Sequence, residues 1–166
     1  MNIAVAGATG TSGRVICDEL ARRGLEVMPL TRGNGVDLLT GTGLREALVG
    51  CSAVIDASNV VPADEHMSRH DAVVTATGNP LAACTDAGVG RYVLLSIINI
   101  DDPGLGEFDY YRAKLDQEAV AREAAVPSVV VRSAQWFDFA VQSTPPRSLC
   151  TRIGWRRRTG RSSRSR

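Results

Sequence analysis

Residues 7–13 read Gly7-Ala8-Thr9-Gly10-Thr11-Ser12-Gly13, and this stretch decides the fold. It follows an apolar run, Asn2-Ile3-Ala4-Val5-Ala6, and opens a segment, 12–23, in which Val15, Ile16, Glu19, Leu20 and Arg23 recur at helical spacing. A short apolar run closed by glycine is a strand buried on both faces. Strand, G-x-x-G-x-x-G turn and helix in that order form one unit. The glycines are needed because the chain turns tightly and a pyrophosphate must approach bare backbone. Gly13 lets the helix pack closely on the strand, and the N–H groups at the helix start form an anion site with the helix dipole. The unit predicts dinucleotide binding through Gly7, Thr9, Gly10, Thr11, Ser12 and Gly13. A tight turn that binds nothing is the alternative.

Working outward, Gly24 ends the first helix as a C′ glycine does. Residues 25–30 form a second strand, in which Pro29 is awkward for a central position and breaks the ladder at that end. The Gly-rich segment 33–43 is a loop and lacks the Gly-Lys-Ser/Thr of an ATP loop. A short helix at 44–49, a strand at 53–57 and a ragged loop at 58–70 follow. Residues 71–87 are helical with an interruption at Gly78-Asn79-Pro80, where the proline removes a hydrogen bond. Residues 91–96 are a fourth strand. Residues 110–125 are a strong helix with Leu115 and Ala119 on one face, and residues 128–132 are a fifth strand. Strands separated by helices imply parallel pairing and right-handed crossovers. The expected fold is a doubly wound, Rossmann-like α/β sheet, incomplete at its C-terminus.

The 166 residues are enough for one domain with a sizeable core, and too few for a nucleotide domain plus a full substrate domain. The net charge of +1 conceals a split. Residues 1–146 carry −7, whereas residues 147–166 carry eight arginines, no acid and a charge of +8. The expected division is a nucleotide-binding domain over 1–146 and a basic tail over 147–166. The tail is read as disordered, possessing no hydrophobic period, or as the product of out-of-frame or truncated coding. Its lone Trp155 and lack of interleaved aromatics argue against nucleic acid. No apolar run reaches the length of a membrane helix, and the start MNIAVAG has no basic region ahead of an apolar stretch. Both point to a cytoplasmic protein without a membrane partner.

Cys17, Cys51, Cys84 and Cys150 have no C-x-x-C spacing, so neither a zinc site nor a redox motif is expected. His66 and His70 are four apart, but no third ligand accompanies them and no metal is expected.

GATGTSG at residues 7–13 of the chain start, LTR at 30–32, LLS at 94–96, YYRAKL at 110–115 and VVVRSAQWFDF at 129–139 together resemble the atypical short-chain dehydrogenase/reductases, specifically the NmrA-like NAD(P)-binding proteins. The resemblance runs from residue 1 to about residue 139. It implies a longer protein whose C-terminal part covers the substrate pocket.

Arg32 follows strand two, where an NAD site usually has an acid for the ribose 2′-hydroxyl. An arginine there complements a 2′-phosphate, so NADP(H) is expected ahead of NAD(H). An arginine that is merely exposed is the alternative. The resemblance further places Asp37 and Leu38 beside the adenine, and Ala57 and Ser58 beside the ribose and pyrophosphate. Tyr110 and Lys114 lie four apart on one helix face. They match the Tyr-x-x-x-Lys pair of short-chain dehydrogenases. A cation about 4 Å away contributes up to ~4 kcal/mol at an effective dielectric of 20, enough to lower the tyrosine below its usual 10. Tyr110 then serves as general acid/base, Lys114 also holds the nicotinamide ribose, and Ser96 steadies the substrate oxygen. The expected function is an NAD(P)H-binding oxidoreductase acting on a small carbonyl or quinone-like substrate. A non-catalytic NAD(P)-sensing regulator and an inactive fragment stay open.

Overall fold

Five apolar segments become five parallel strands in the computed structural model, which describes residues 1–62 and 64–134. They are β1 (Asn2–Ala6), β2 (Glu26–Leu30), β3 (Cys51–Asp56), β4 (Tyr92–Ile97) and β5 (Ser128–Ser133). The helices between them are α1 (Thr11–Arg22), α2 (Leu44–Leu48), α3 (Arg69–Ala87) and α4 (Asp109–Glu123). The sheet order is β2-β1-β3-β4-β5. The chain therefore leaves β1 toward one edge and returns on its other side at β3. That reversal makes the doubly wound sheet and opens a crevice beyond the C-terminal ends of β1 and β3. The tail over 147–166 lies outside the described residues.

Alternation along β1 divides the core. Ile3 and Val5 face α1, packing with Ile16, Leu20 and Ile55. Ala4 and Ala6 face the other layer, with Leu44, Leu48, Val54, Leu81, Cys84, Tyr92 and Leu94. Val130 joins that second layer. Its neighbours Val129 and Val131, pointing the other way as period two requires, remain 41% and 45% exposed.

Three local expectations change. Pairing continues through Pro29, opposite Val5, to Leu30, opposite Ala6. The Asn34 side chain donates to the Pro29 carbonyl at 3.0 Å, so that residue's hydrogen-bonding side faces away from β1. The missing N–H thus falls on the open side of an edge strand, where it costs no ladder bond. Helix α3 likewise runs unbroken through Pro80, which is buried within it. Proline's fixed φ is helical, and burial against neighbouring layers offsets the lost hydrogen bond. The helix also starts two residues earlier than its apolar pattern, because Ser68 caps it by accepting from the Asp71 N–H at 3.0 Å.

The third change matters most for the site. Leu115 and Ala119 lie on the exposed side of α4, while Ala113, Lys114, Gln117, Glu118 and Ala121 are buried. The inward face of this helix is largely polar.

Candidate functional site

The glycine loop has the geometry its sequence demands. Gly7 sits at φ +74°, and a Cβ there would come within 2.7 Å of the Ala57 carbonyl oxygen. A Cβ on Gly13 would run into the Gly7 carbonyl and lie 2.8 Å from Ala8 Cα. The first and third glycines are thus fixed by close backbone approach. The Gly10 N–H closes the turn on the Gly7 carbonyl at 2.9 Å. Gly10 also occupies the N-cap of α1, so no side chain caps the helix, and its first turn contains no acid. The positive end of α1 is left to an external anion, which fits a pyrophosphate.

Across the crevice, Ala57 and Ser58 leave the end of β3. Ala57 N–H donates to the Ala6 carbonyl at 3.1 Å, and Ser58 N–H donates to Asp56 Oδ1 at 2.8 Å. The buried Asp56 accepts a second bond, from Tyr92 Oη at 2.6 Å. Burial and the neighbouring Asp56 carboxylate push the Tyr92 hydroxyl well above its ordinary range, which keeps it a donor. Glycine loop and β3 end are therefore brought together.

Arg32 follows β2 directly and opens a 3₁₀ turn over Arg32–Asn34. Its side chain is exposed, with no partner among the described residues. Asp37 turns its carboxylate back on its own loop, accepting from the Leu39 and Thr40 N–H groups at 2.8 and 3.3 Å. Leu38 packs against the core. Asn79, which carried no signal in the sequence beyond its place in the supposed helix break, pins this loop by donating to the Leu38 and Leu39 carbonyls at 2.9 and 2.8 Å.

Lys114 is buried, 5% exposed, and two of the three N–H donors of its ammonium have partners. It donates to the Leu95 carbonyl on β4 at 3.0 Å and to Gln117 Oε1. Gln117 passes the constraint to α3, donating to Thr77 Oγ1 at 2.5 Å. Burial makes the ammonium easier to deprotonate, with Asp56 and Glu118 acting against that. Tyr110, one turn earlier, is half-buried, and burial pushes its hydroxyl up rather than down. The cation opposing that rise is Arg69 of α3, whose Cζ lies 5.1 Å from the centre of the Tyr110 ring. The expected depression of Tyr110 by Lys114 is not what the structure displays, because the lysine is engaged by Leu95 and Gln117.

Ser96 lies at the C-terminal end of β4, as expected. It is 2% exposed, and its hydroxyl donates to Glu118 Oε1 at 2.5 Å. Glu118, wholly buried, is also held by Arg132 at 2.9 Å and Arg122 at 2.6 Å. The serine thus belongs to an ionic cluster with Glu118, Arg122 and Arg132. His70 joins Asp116 across α3 and α4 at 2.9 Å. Among the described residues, Cys17, Cys51 and Cys84 are unbridged, and burial lifts the Cys84 thiol to about 12. No helix among these residues is long and apolar enough to cross a membrane.

The sequence profile of an NAD(P)H-binding family matches residues 7–143. A (4-alkanoyl-5-oxo-2,5-dihydrofuran-3-yl)methyl phosphate reductase from Streptomyces griseus is 32% identical over 144 residues, covering 78% of this chain and 46% of its own. A short-chain dehydrogenase/reductase superfamily protein from Agrobacterium tumefaciens, solved with NAD, superposes with a TM-score of 0.62 at 24% identity, over 80% of this chain and 48% of that one. The Citrobacter triphenylmethane reductase complexed with NADP(H) gives 0.62 at 21% identity, over 85% and 52%. The chain spans about half the length of each of these relatives. On the matched profile and the glycine loop it carries, the chain belongs to the NAD(P)H-binding family and has a Rossmann fold.

Proposed function

We propose that the chain is the nucleotide-binding portion of an NADP(H)-dependent reductase of a small carbonyl or quinone-like substrate. The observation that carries this reading is Lys114, a buried ammonium fixed between β4 and α3 one helical turn beyond Tyr110. Burying a charge is expensive unless it is hydrogen-bonded, and a buried charge held at the site marks a functional candidate. In this reading Arg32 binds the 2′-phosphate, and the start of α1 with Ala57 and Ser58 holds the pyrophosphate and ribose. The nicotinamide, when bound, supplies the hydride. Tyr110 donates the proton to the substrate oxygen, and Lys114 orients the ribose. Asp37 and Leu38 border the adenine. Ser96 is left out of the proton path, being committed to Glu118. The Streptomyces relative is a reductase of a compound bearing alkanoyl and oxo groups, which supports a carbonyl substrate.

The test is nucleotide titration of the full chain by fluorescence, followed by NADPH consumption with a panel of aldehydes, β-keto esters and quinones. Tight NADPH binding with turnover of one class supports the reading, and binding without turnover of any favours a nucleotide sensor. One observation favours that second reading: burial makes the Tyr110 proton harder to remove.

A further inference from the structure

Arg69 lies in a stretch without hydrophobic period, between the end of β3 and the body of α3, and no feature of the sequence marks it. The fold places its guanidinium over the Tyr110 ring, 5.1 Å from the centroid. Nη2 donates to Asn59 Oδ1 at 3.0 Å, so the group is tethered to the loop that follows β3. Nε is buried without a hydrogen-bond partner among the described residues. A shielded guanidinium nitrogen in that position forgoes a hydrogen bond. Its compensation is the face of the ring, to which cations are attracted.

No acid among the described residues forms an ion pair with Arg69, whereas the arginines of α4 are paired, Arg112 with Asp109 and Arg122 with Glu118. The charged and titratable groups facing Tyr110 are Arg69 from α3 and Tyr111 from α4, whose ring packs edge-on at 5.5 Å. Lys114, on the next turn of α4, is turned to Leu95 and Gln117. Arginine stays protonated at any working pH, so its charge is constant while the phenol titrates.

We propose that Arg69 is a positioning residue for Tyr110: its guanidinium fixes the ring and stabilises the negative charge that appears on the phenol oxygen when the proton leaves. This rests on the reading of Tyr110 as proton donor, yet it concerns the ionisation of one side chain and is measurable without turnover. In the reductive direction the O–H bond of Tyr110 breaks, the proton passes to the substrate oxygen, and the phenolate formed lies under a cation that needs no reorganisation. Asn59 sets where that cation sits, which links the β3 loop beneath the nucleotide to the acid.

The experiment is a pH titration of full-length protein labelled with 13C at the tyrosine ζ carbon. The sequence holds three tyrosines, and Tyr110→Phe assigns the relevant signal. Arg69→Gln should raise the Tyr110 midpoint by about one unit, the order expected for a cation roughly 5 Å away in a half-exposed site, with Tyr111 moving by much less. Arg69→Lys should restore most of the shift. Asn59→Ala, which frees the guanidinium without removing it, should move the midpoint in the same direction by less, and it serves if Arg69→Gln fails to fold. An unchanged Tyr110 midpoint in Arg69→Gln, or in Asn59→Ala where the first variant does not fold, overturns the proposal. In the alcohol-oxidising direction the rise of kcat/KM with pH should move upward with the titration. A moved midpoint with an unmoved pH profile keeps Arg69 in its place and removes Tyr110 from the proton path instead.

Discussion

Arg132 on β5 and Glu118 on α4 form a paired contact, with guanidinium Nη2 2.9 Å and Nε 3.0 Å from the carboxylate oxygens. Fourteen residues separate them in the chain, and the carboxylate is completely buried. Burial works to raise the Glu118 carboxyl, but bonds from Arg132, Ser96 and Arg122 hold it at about 2.

Glu118→Gln should therefore destabilise the fold at neutral pH by about 3 kcal/mol, because it leaves Arg132 without its buried partner. A carboxyl depressed in the folded state stabilises above its unfolded pKa, and this is lost as pH falls toward the folded value. The Tm gap between wild type and variant should be widest above about pH 5 and close toward pH 2. Calorimetry across that range checks it, and a gap independent of pH would contradict the assignment.

Gly13→Ala should abolish nucleotide binding and lower stability by about 2 kcal/mol or more, since its methyl group meets backbone that cannot yield. Gly24→Ala, where φ is also positive but a Cβ would meet nothing within 4 Å, should cost about 1 kcal/mol and leave binding intact. Denaturant melts and nucleotide fluorescence separate the two cases.

Arg32→Glu should reverse the nucleotide order, weakening NADPH and favouring NADH. The predicted change is tenfold or more in the Kd ratio, about the 1.4 kcal/mol of one charge-assisted contact. Parallel titrations decide it: equal affinities in wild type, unchanged in the variant, would show that Arg32 plays no part.

Tyr110→Phe should cut turnover by about 10²-fold or more while leaving the NADPH Kd within a few-fold. Tyr111→Phe should matter less. Lys114→Ala should impair both binding and turnover, since Leu95 and Gln117 would lose the group that organises them. Steady-state kinetics beside direct binding checks all three, and normal turnover in Tyr110→Phe would leave the tyrosine as a cofactor contact.

The five strands and the glycine loop were legible because each carries a local signal: an apolar run, a spacing, a residue that only the turn admits. Pro80 was misread because its cost is local while its compensation, burial within the second layer, is tertiary. The inward face of α4 was misread for a related reason. Gln117 is satisfied by Thr77, and Glu118 by Ser96 and Arg132, none of them near in sequence, and hydropathy has no term for such pairing. Ser96 stood at a strand end as expected, but only the fold could show that Glu118 takes its hydroxyl. Arg69 and Asn59 come from a stretch of sequence without period, so the meeting of Arg69 with Tyr110 was invisible until α3 and α4 were placed side by side.

Lys114 is the sole lysine in the 166 residues, and it is almost wholly enclosed. The protein therefore contains its own footprinting probe. A lysine-selective acylating reagent has one side chain to find, and reaches it only when α4 lifts from β4. The labelling rate reports how often that opening occurs, in the way hydrogen exchange reports local unfolding. No engineered residue is needed to follow the site's breathing in the presence and absence of nucleotide.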